Sequence, residues 1–298
     1  MDPRISIITP SLNQGQFIER TIKSVLSQDI EGLEYFVIDG GSTDETLSVL
    51  KRYNDRVSWV SEPDDGHSDA INKGILRSSA PILGWLNSDD IYYPGALEKV
   101  LDYFKDHQEA DVVYGDANHI NAEDEVIEKY PTEEWNWERL IETCFISQPA
   151  TFLRRDIIDR YGLLDVSLRY SMDYEYWLRL GKEGVKFVHI PQVLAATRLH
   201  DTAFTVSSRI STHAAVNDIM NAHFGSTPDG WIFNYAHAVA DSKGFPRSDR
   251  FRFAVIVSIV SYYASIRWNH KISRNVLLTT WRWIRGNARI TLKELFSK

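Results

Sequence analysis

Tyr35-Phe-Val-Ile-Asp-Gly-Gly-Ser-Thr-Asp-Glu45 carries a short β-branched and aromatic run straight into small, polar and acidic residues, with Leu47 and Leu50 following at helical spacing. A buried strand that ends in an acidic turn and leads into a helix is half of a β-α-β unit. In an open parallel sheet the ends of such strands are where ligands bind. The arrangement recurs at Ile82-Leu-Gly-Trp-Leu86, which runs into Asn87-Ser-Asp-Asp90. Two further clusters, Asp69-Ala-Ile-Asn-Lys-Gly74 and Asp173-Tyr-Glu-Tyr-Trp177, also border apolar runs. Carboxylates gathered at strand ends point to a divalent cation holding a phosphate, so the four segments describe one site.

Outward from that stretch, strand and helix signals alternate. Arg4 to Thr9 reads as the first strand and Phe17 to Gln28 as a helix with Ile18, Ile22, Val25 and Leu26 on one face. Ser42 or Thr43 is placed to cap the helix that buries Leu47 and Leu50. Val57 to Val60 is a third strand, Ser68 to Arg77 a helix, Pro81 to Leu86 a fourth strand, Pro94 to about Asp106 a helix and Asp111 to Tyr114 a strand. Asp124 to Trp137 is a polar, aromatic excursion of the kind that meets a ligand. Strand character returns at Gln148 to Leu153 and Val185 to Ile190, with a helix over Met172 to Gly181 between them, and Leu194 to His200 closes the domain. The pattern gives an α/β fold, a mostly parallel sheet flanked by helices.

The chain has 298 residues, 43% of them hydrophobic, enough for a sizeable core. Its single cysteine, Cys144, excludes an internal disulfide framework, and Met1-Asp-Pro-Arg4 leads into a strand without a signal-peptide pattern, so a reducing cytoplasm is expected. The net charge of −8 hides an asymmetry: residues 243 to 298 hold twelve Lys or Arg against Asp249 and Glu294, a balance of +10, which leaves −18 for the rest. Gly, Pro and this inversion coincide at 241 to 250, dividing the chain into a domain over 1–240 and a basic, aromatic helical extension over 241–298. That extension suits an anionic membrane surface or a homodimer contact, and its apolar stretch Phe253 to Ile266 is short for a span.

Thr9-Pro-Ser-Leu-Asn13, Asp39-Gly-Gly-Ser-Thr-Asp44, Asn87-Ser-Asp-Asp90, Met172-Asp-Tyr-Glu-Tyr-Trp-Leu-Arg179 and Arg198-Leu-His200 together resemble the family 2 glycosyltransferases of the GT-A fold, in order, over roughly residues 4 to 205. The resemblance implies a Rossmann-like nucleotide-sugar domain and inverting transfer from a UDP-sugar to a glycan or lipid-linked acceptor in bacterial surface-polysaccharide assembly, at the inner face of the cell membrane. Asp39 then accepts from the uracil imide, or else caps the Gly40-Gly41 turn. Pro10, Ser11 and Asn13 border the same pocket, and Asp69 and Lys73 approach the ribose or diphosphate, unless Lys73 is a solvated helix residue.

Asn87, Ser88 and Asp89 stand at the family's Asp-x-Asp metal motif, with Asp89 as ligand for Mn2+ or Mg2+. Asn87 departs from the commonest pattern and adds no charge, which predicts weaker metal affinity. Asp90 lies beside the metal or caps the next turn. His200 matches a histidine near metal and diphosphate, and Arg198 is a phosphate candidate. Asp173 aligns with the family's catalytic base, the alternative being a first-turn helix charge. Glu175 pairs with Arg179 at i+4. His67 sits in the acidic turn facing the donor. Trp135 and Trp137 shape an acceptor site or pack in the core.

Other readings fit less of the chain. A nucleotidyltransferase needs a glycine-rich basic loop after the first strand, and Pro10-Ser-Leu-Asn13 is neither. A dehydrogenase needs G-x-G-x-x-G there. The basic tail lacks a nucleic-acid motif. A catalytically impaired member that only binds sugar nucleotide or acts as a scaffold accommodates Asn87, but not the retained Asp89, Asp173 and His200.

Overall fold

The computed structural model describes residues 2–200 and 208–296, with side chains described through Ala288. The chain divides into two compact units, residues 1–140 with 144–203, and residues 141–143 with 204–298.

The first unit is built on a nine-stranded sheet. Strands β1 (Ile5–Ser11), β2 (Leu33–Asp39), β3 (Ser58–Ser61) and β4 (Ile82–Trp85) form its parallel half in the order β3-β2-β1-β4. Helices α1 (Ile18–Leu26), α2 (Thr46–Lys51) and α3 (His67–Arg77) connect them. All seven residues of β1 are buried, the continuous apolar run expected of a central strand covered on both faces. The register pairs Ser11 with Asp39 and Ile8 with Trp85, so the C-terminal ends of β1, β2 and β4 form one edge.

Beyond β4 the sheet becomes mixed. Strand β5 (Ile91–Tyr92) and helix α4 (Ala96–Asp106) lead to β6 (Val112–Ile120) and β7 (Val126–Lys129). Helix α5 (Trp137–Glu142), β8 (Thr151–Arg154), helix α6 (Arg155–Tyr161), helix α7 (Met172–Lys182) and β9 (Phe187–Arg198) follow. The order continues β4-β8-β6-β9-β5, with β7 beside β6. Only β6 and β9 run parallel in this half. Thus the polar excursion from Asp124 contains a strand, and the expected strand at Gln148 opens with a 3-10 turn. The two segments expected at 185–190 and 194–200 form one strand, with a register break opposite Gly115 and Asp116.

Helix α7 is anchored by its aromatic side chains. Trp177 is fully buried and stacks on Trp85 of β4 with ring centroids 5.5 Å apart. Trp135 stacks on Phe187 at 4.3 Å. A Cβ on Gly181 would meet the Trp137 ring at 2.6 Å, so only glycine admits that close approach. Trp135 and Trp137 are therefore half-buried packing for α7, the second of the two sequence readings.

The second unit is helical: α8 (Arg209–Phe224), α9 (Asp229–Ser242), α10 (Arg250–Asn269) and α11 (Arg274–Phe296). Ala236 and Ala240 of α9 pack with Phe253 and Val257 of α10, so the segment 243–249 joins two helices of one core. Trp283 packs against Phe233 at 4.9 Å, and Tyr262 hydrogen-bonds Thr280 across the α10–α11 hairpin. The side chains of Arg289, Lys293 and Lys298, counted in the basic tail, lie outside the described residues. Among the described residues no helix is long and apolar enough to cross a membrane.

Candidate active site

At the end of β2, Asp39 is fully buried and its carboxylate is filled by the protein itself. One oxygen accepts from Ser42 Oγ at 2.5 Å; the other accepts from Ser61 Oγ at 2.6 Å and from the backbone N–H of Ser42 and Gly41 at 2.9 and 3.2 Å. Three of the four donors crowd Oδ2, so the acceptor capacity left for a base lies on Oδ1, which takes the Ser42 hydroxyl. In this structure Asp39 holds the Gly40-Gly41 turn. Asn13, at positive φ, stitches that turn to the β1–α1 loop: its N–H donates to Ser42 Oγ at 2.7 Å and its Oδ1 accepts from the Thr43 N–H at 2.9 Å. Ser42 is thus drawn to Asp39 and Asn13 rather than capping α2; Asp44 accepts from the Thr46 N–H there instead. Pro10 and Ser11 complete this wall, and the buried Ser11 hydroxyl has no partner in the structure.

Asp69 and Lys73 pair with each other on α3, Nζ to Oδ2 at 3.0 Å, and Lys73 also lies 3.8 Å from Glu62. The bond to Asp69 raises the lysine's pKa, while the Asp69 carboxyl is lowered first by the Asp65 backbone N–H and then by Lys73.

The loop between β4 and β5 carries the second half of the site. Asn87 Nδ2 donates to Asp90 Oδ2 at 3.2 Å, which assigns Asn87 Oδ1 as acceptor for His67 Nε2–H at 2.9 Å. Burial lowers the His67 pKa, against the Asn87 hydrogen bond and the carboxylates of Asp89, Asp173 and Asp64, so the ring is neutral with Nδ1 bare. Ser88 is buried, and its carbonyl and that of Asp90 both accept from Thr21 Oγ1 of α1. Asp90 is also buried; burial and the neighbouring Asp89 push its pKa well up. Its Oδ1 accepts from the Arg198 N–H at 2.8 Å, tying the loop to the end of β9.

Asp89 Oδ2 and His200 Nε2 lie 3.0 Å apart. Two cis ligands of an octahedral ion with bonds of about 2.1 Å are separated by about 3 Å, so this pair suits Mg2+ or Mn2+. Among the described residues no group of three or more His, Cys, Asp or Glu side chains converges as a metal site.

Arg198 is engaged mainly by the protein itself, although its buried Nη2 has no hydrogen-bond partner among the described residues. Its guanidinium is buried, with Nε donating to the Asp89 carbonyl at 2.7 Å, Nη1 to the Asn121 carbonyl at 2.8 Å, and Nη1 paired with Asp124 Oδ1 at 2.5 Å. It also lies over the Phe17 ring, which meets the His200 ring at 4.6 Å as well. Arg198 thus fixes the backbone from which Asp89 projects.

Asp173 lies in the first turn of α7, four residues before the Trp177 that stacks on Trp85. Burial raises its pKa, opposed by backbone N–H groups of the first helical turn and by His67. Glu175 points elsewhere, gripping Arg179 through both oxygens at 3.2 Å as the i+4 spacing predicts. Cys144 is no competing nucleophile, since burial pushes its thiol up to about 12.

With these strand ends in view, the comparisons with known proteins are decisive. Residues 6–162 match the family model "Glycosyl transferase family 2". The chain belongs to glycosyl transferase family 2. An uncharacterized glycosyltransferase of Rickettsia typhi is 28% identical over 217 residues, 68% of this chain and 66% of its relative. Chondroitin synthase of Escherichia coli is 30% identical over 206 residues, 66% of this chain but only 29% of the synthase. Among solved structures, TarS 1–349 of S. aureus in complex with UDP-GlcNAc superposes with a TM-score of 0.60 at 15% identity, covering 97% of this chain and 92% of that one. The mannosyltransferase PcManGT from Pyrobaculum calidifontis, in complex with GDP-Man and Mn2+, gives a TM-score of 0.60 at 16% identity, covering 100% and 88%. The fold is that of the GT-A glycosyltransferases.

Within this family 2 domain, three ties escaped sequence reasoning. Thr21 holds the β4–β5 loop, and Gln148 Nε2 donates to the Trp85 carbonyl at 2.6 Å. Asn72 makes a two-bond clamp with Leu164, Nδ2 to the carbonyl at 2.8 Å and N–H to Oδ1 at 3.1 Å, binding α3 to the segment that leads into Asp173. Each works through backbone partners distant in sequence, which residue type alone does not reveal.

Proposed function

We propose that the protein is a metal-dependent inverting glycosyltransferase that moves a sugar from a nucleotide-sugar donor, a UDP-sugar, to a hydroxyl of a glycan or lipid-linked acceptor. The observation that carries the reading is the contact of Asp89 Oδ2 with His200 Nε2 at 3.0 Å, on the same loop whose Asn87 bonds His67 at 2.9 Å. The nucleotide would lie along the wall formed by Pro10, Ser11, Asn13 and Asp39, with Asp69 and Lys73 exchanging partners as the diphosphate arrives. Asn87 would meet the donor through its amide, and Ser88 supports it from beneath.

Asp89 and His200 would hold the divalent ion, which supplies positive charge to the departing diphosphate. Asp173 takes the proton of the acceptor hydroxyl as that oxygen bonds to the anomeric carbon. The bond from carbon to diphosphate oxygen breaks on the opposite face, and its electron pair leaves with the nucleoside diphosphate. A raised pKa makes Asp173 a stronger base than an exposed carboxylate. Arg198 acts one step removed, through the Asp89 backbone.

The setting that suits these features is surface-polysaccharide assembly at the cytoplasmic side of the cell membrane. Nucleoside diphosphate release from UDP-, GDP- and dTDP-sugars, with and without metal, tests the assignment. Release that persists in chelator, or that is unchanged in Asp173→Asn, contradicts it.

A further inference from the structure

The helical unit has an apolar face that its own core does not use. In α10 the buried stripe runs through Val257, Ser261, Ala264 and Trp268. A helix committed only to that core should turn polar residues outward, yet Ile259, Tyr263 and Ile266 follow one another at i, i+4 and i+7 on the opposite side, 57%, 59% and 52% exposed. Its neighbour α11 repeats the pattern. Val276 and Thr280 are buried, while Leu277, Leu278 and Trp281 are exposed. Seven of the twelve large apolar side chains exposed among the described residues belong to these two helices, which make up a small part of the chain. They are concentrated there rather than scattered, and concentrated exposed apolar surface marks an interaction site.

Charge identifies the partner. Between Arg250 and Arg285 there are seven Lys or Arg and not one Asp or Glu. Arg252, Arg267, Lys271, Arg274, Arg282 and Arg285 are all exposed. The Arg285 guanidinium lies 4.8 Å from the centre of the exposed Trp281 ring, joining cation and aromatic face at the surface. A second copy meeting this surface would face an equally cationic one, which disfavours self-association. A nucleic acid would match the charge but gain nothing from exposed Ile259, Ile266, Leu277 and Leu278. An anionic bilayer matches both, accepting aliphatic side chains and the Trp281 ring at the level of the headgroups and pairing the cations with lipid phosphates.

We infer that the outward faces of α10 and α11 form a docking surface for an anionic lipid bilayer, on which the helices lie without spanning it. The inference takes up the membrane side of the proposed function but is read from the helical unit alone, and its test does not use turnover. The full chain is mixed with vesicles of phosphatidylcholine alone, or of phosphatidylcholine and phosphatidylglycerol in equal parts, and bound protein is measured by sedimentation. Expected is binding to the anionic vesicles that is at least about tenfold stronger than to neutral ones and weakens as salt rises. Ile259→Glu with Ile266→Glu should reduce that binding by about tenfold or more while helix content and melting temperature stay as in the parent chain, because both side chains are already exposed.

Three results overturn the proposal: no preference of the parent chain for anionic vesicles, full vesicle binding by the double variant, or a parent chain that is dimeric in solution and becomes monomeric in the double variant with vesicle binding intact. A nucleic-acid duplex bound while vesicles are refused would likewise assign the face elsewhere. Nucleotide titration by calorimetry on the same samples separates the two readings, since a failed lipid surface leaves nucleotide binding untouched.

Discussion

Replacing Arg198 with methionine removes the cation that fixes the β4–β5 loop while keeping much of its buried volume. The guanidinium serves the carbonyls of Asp89 and Asn121, pairs with Asp124 and covers the Phe17 ring. A hydrogen bond from a charged donor contributes about 1.5–3 kcal/mol, and removing one partner of a buried ionic cluster costs about 3–5 kcal/mol. Asp124 is 38% exposed and regains water, so its share is small, and the loss rests mainly on the two carbonyls. We take about 3–4 kcal/mol, which for a unit of this size lowers the melting temperature by about 6–16 °C. Arg198→Lys, which keeps the charge but not the planar fork, should fall between the two. Thermal unfolding followed by circular dichroism supplies the first number, and Mn2+ titration of nucleotide binding the second, because a loosened Asp89 should weaken metal affinity in both variants. A methionine variant that melts within about 2 °C of the parent chain would refute the reasoning, since a side chain doing this work cannot be removed at so small a cost.

Other consequences follow from the same geometry. Asp173→Asn should lower turnover by about 10²–10⁴-fold, the usual contribution of a general base, with nucleotide affinity retained; an equal loss of affinity would move Asp173 out of that role. Because burial raises the folded pKa of Asp173, the folded chain holds this proton more tightly than the unfolded chain. Between the ordinary carboxylate value and the raised one, stability therefore falls as pH rises, while activity, which needs the ionised base, increases through the same window. The acid limb of the rate profile should accordingly lie above the ordinary carboxylate range, and a limb at the ordinary value would contradict the burial argument. Asn72→Ala breaks both bonds to Leu164 and should cost about 1–3 kcal/mol of stability. It should also lower kcat more than it changes the nucleotide Kd, because the loosened segment leads to Asp173. Asp89→Asn should abolish metal-dependent release, and turnover near that of the parent chain would remove Asp89 from the metal site.

Much of the parallel half of the fold was legible because its strands are continuous apolar runs followed by acidic turns, and the helices between them keep a 3.6-residue period. Beyond β4 the strands vary widely in length, pair in both directions and carry polar faces, so β7, the long β9 and the brief β5 gave weak local signals. The helices α8 and α9 went unread for a related reason: their polar and apolar residues are mixed around the axis, and their packing is decided by neighbours distant in sequence. At the site, residue types indicated which side chains matter but not what each one touches. Asp39 and Arg198 are the instructive cases, since a buried carboxylate with four donors and a buried guanidinium serving two carbonyls look in sequence like groups awaiting a ligand. Glu175 was readable because its partner is four residues away on one helix, whereas the Asn72–Leu164 clamp spans 92 residues.

The most direct test of the account is nucleoside diphosphate release from a panel of UDP-, GDP- and dTDP-sugars, measured on the parent chain and Asp173→Asn with Mn2+, Mg2+ or chelator, with calorimetric nucleotide titration alongside. The account predicts release from a UDP-sugar that requires the metal and is largely lost in the variant, while both proteins bind UDP. Release that ignores both metal and Asp173, or a chain that binds no nucleotide at all, would contradict it.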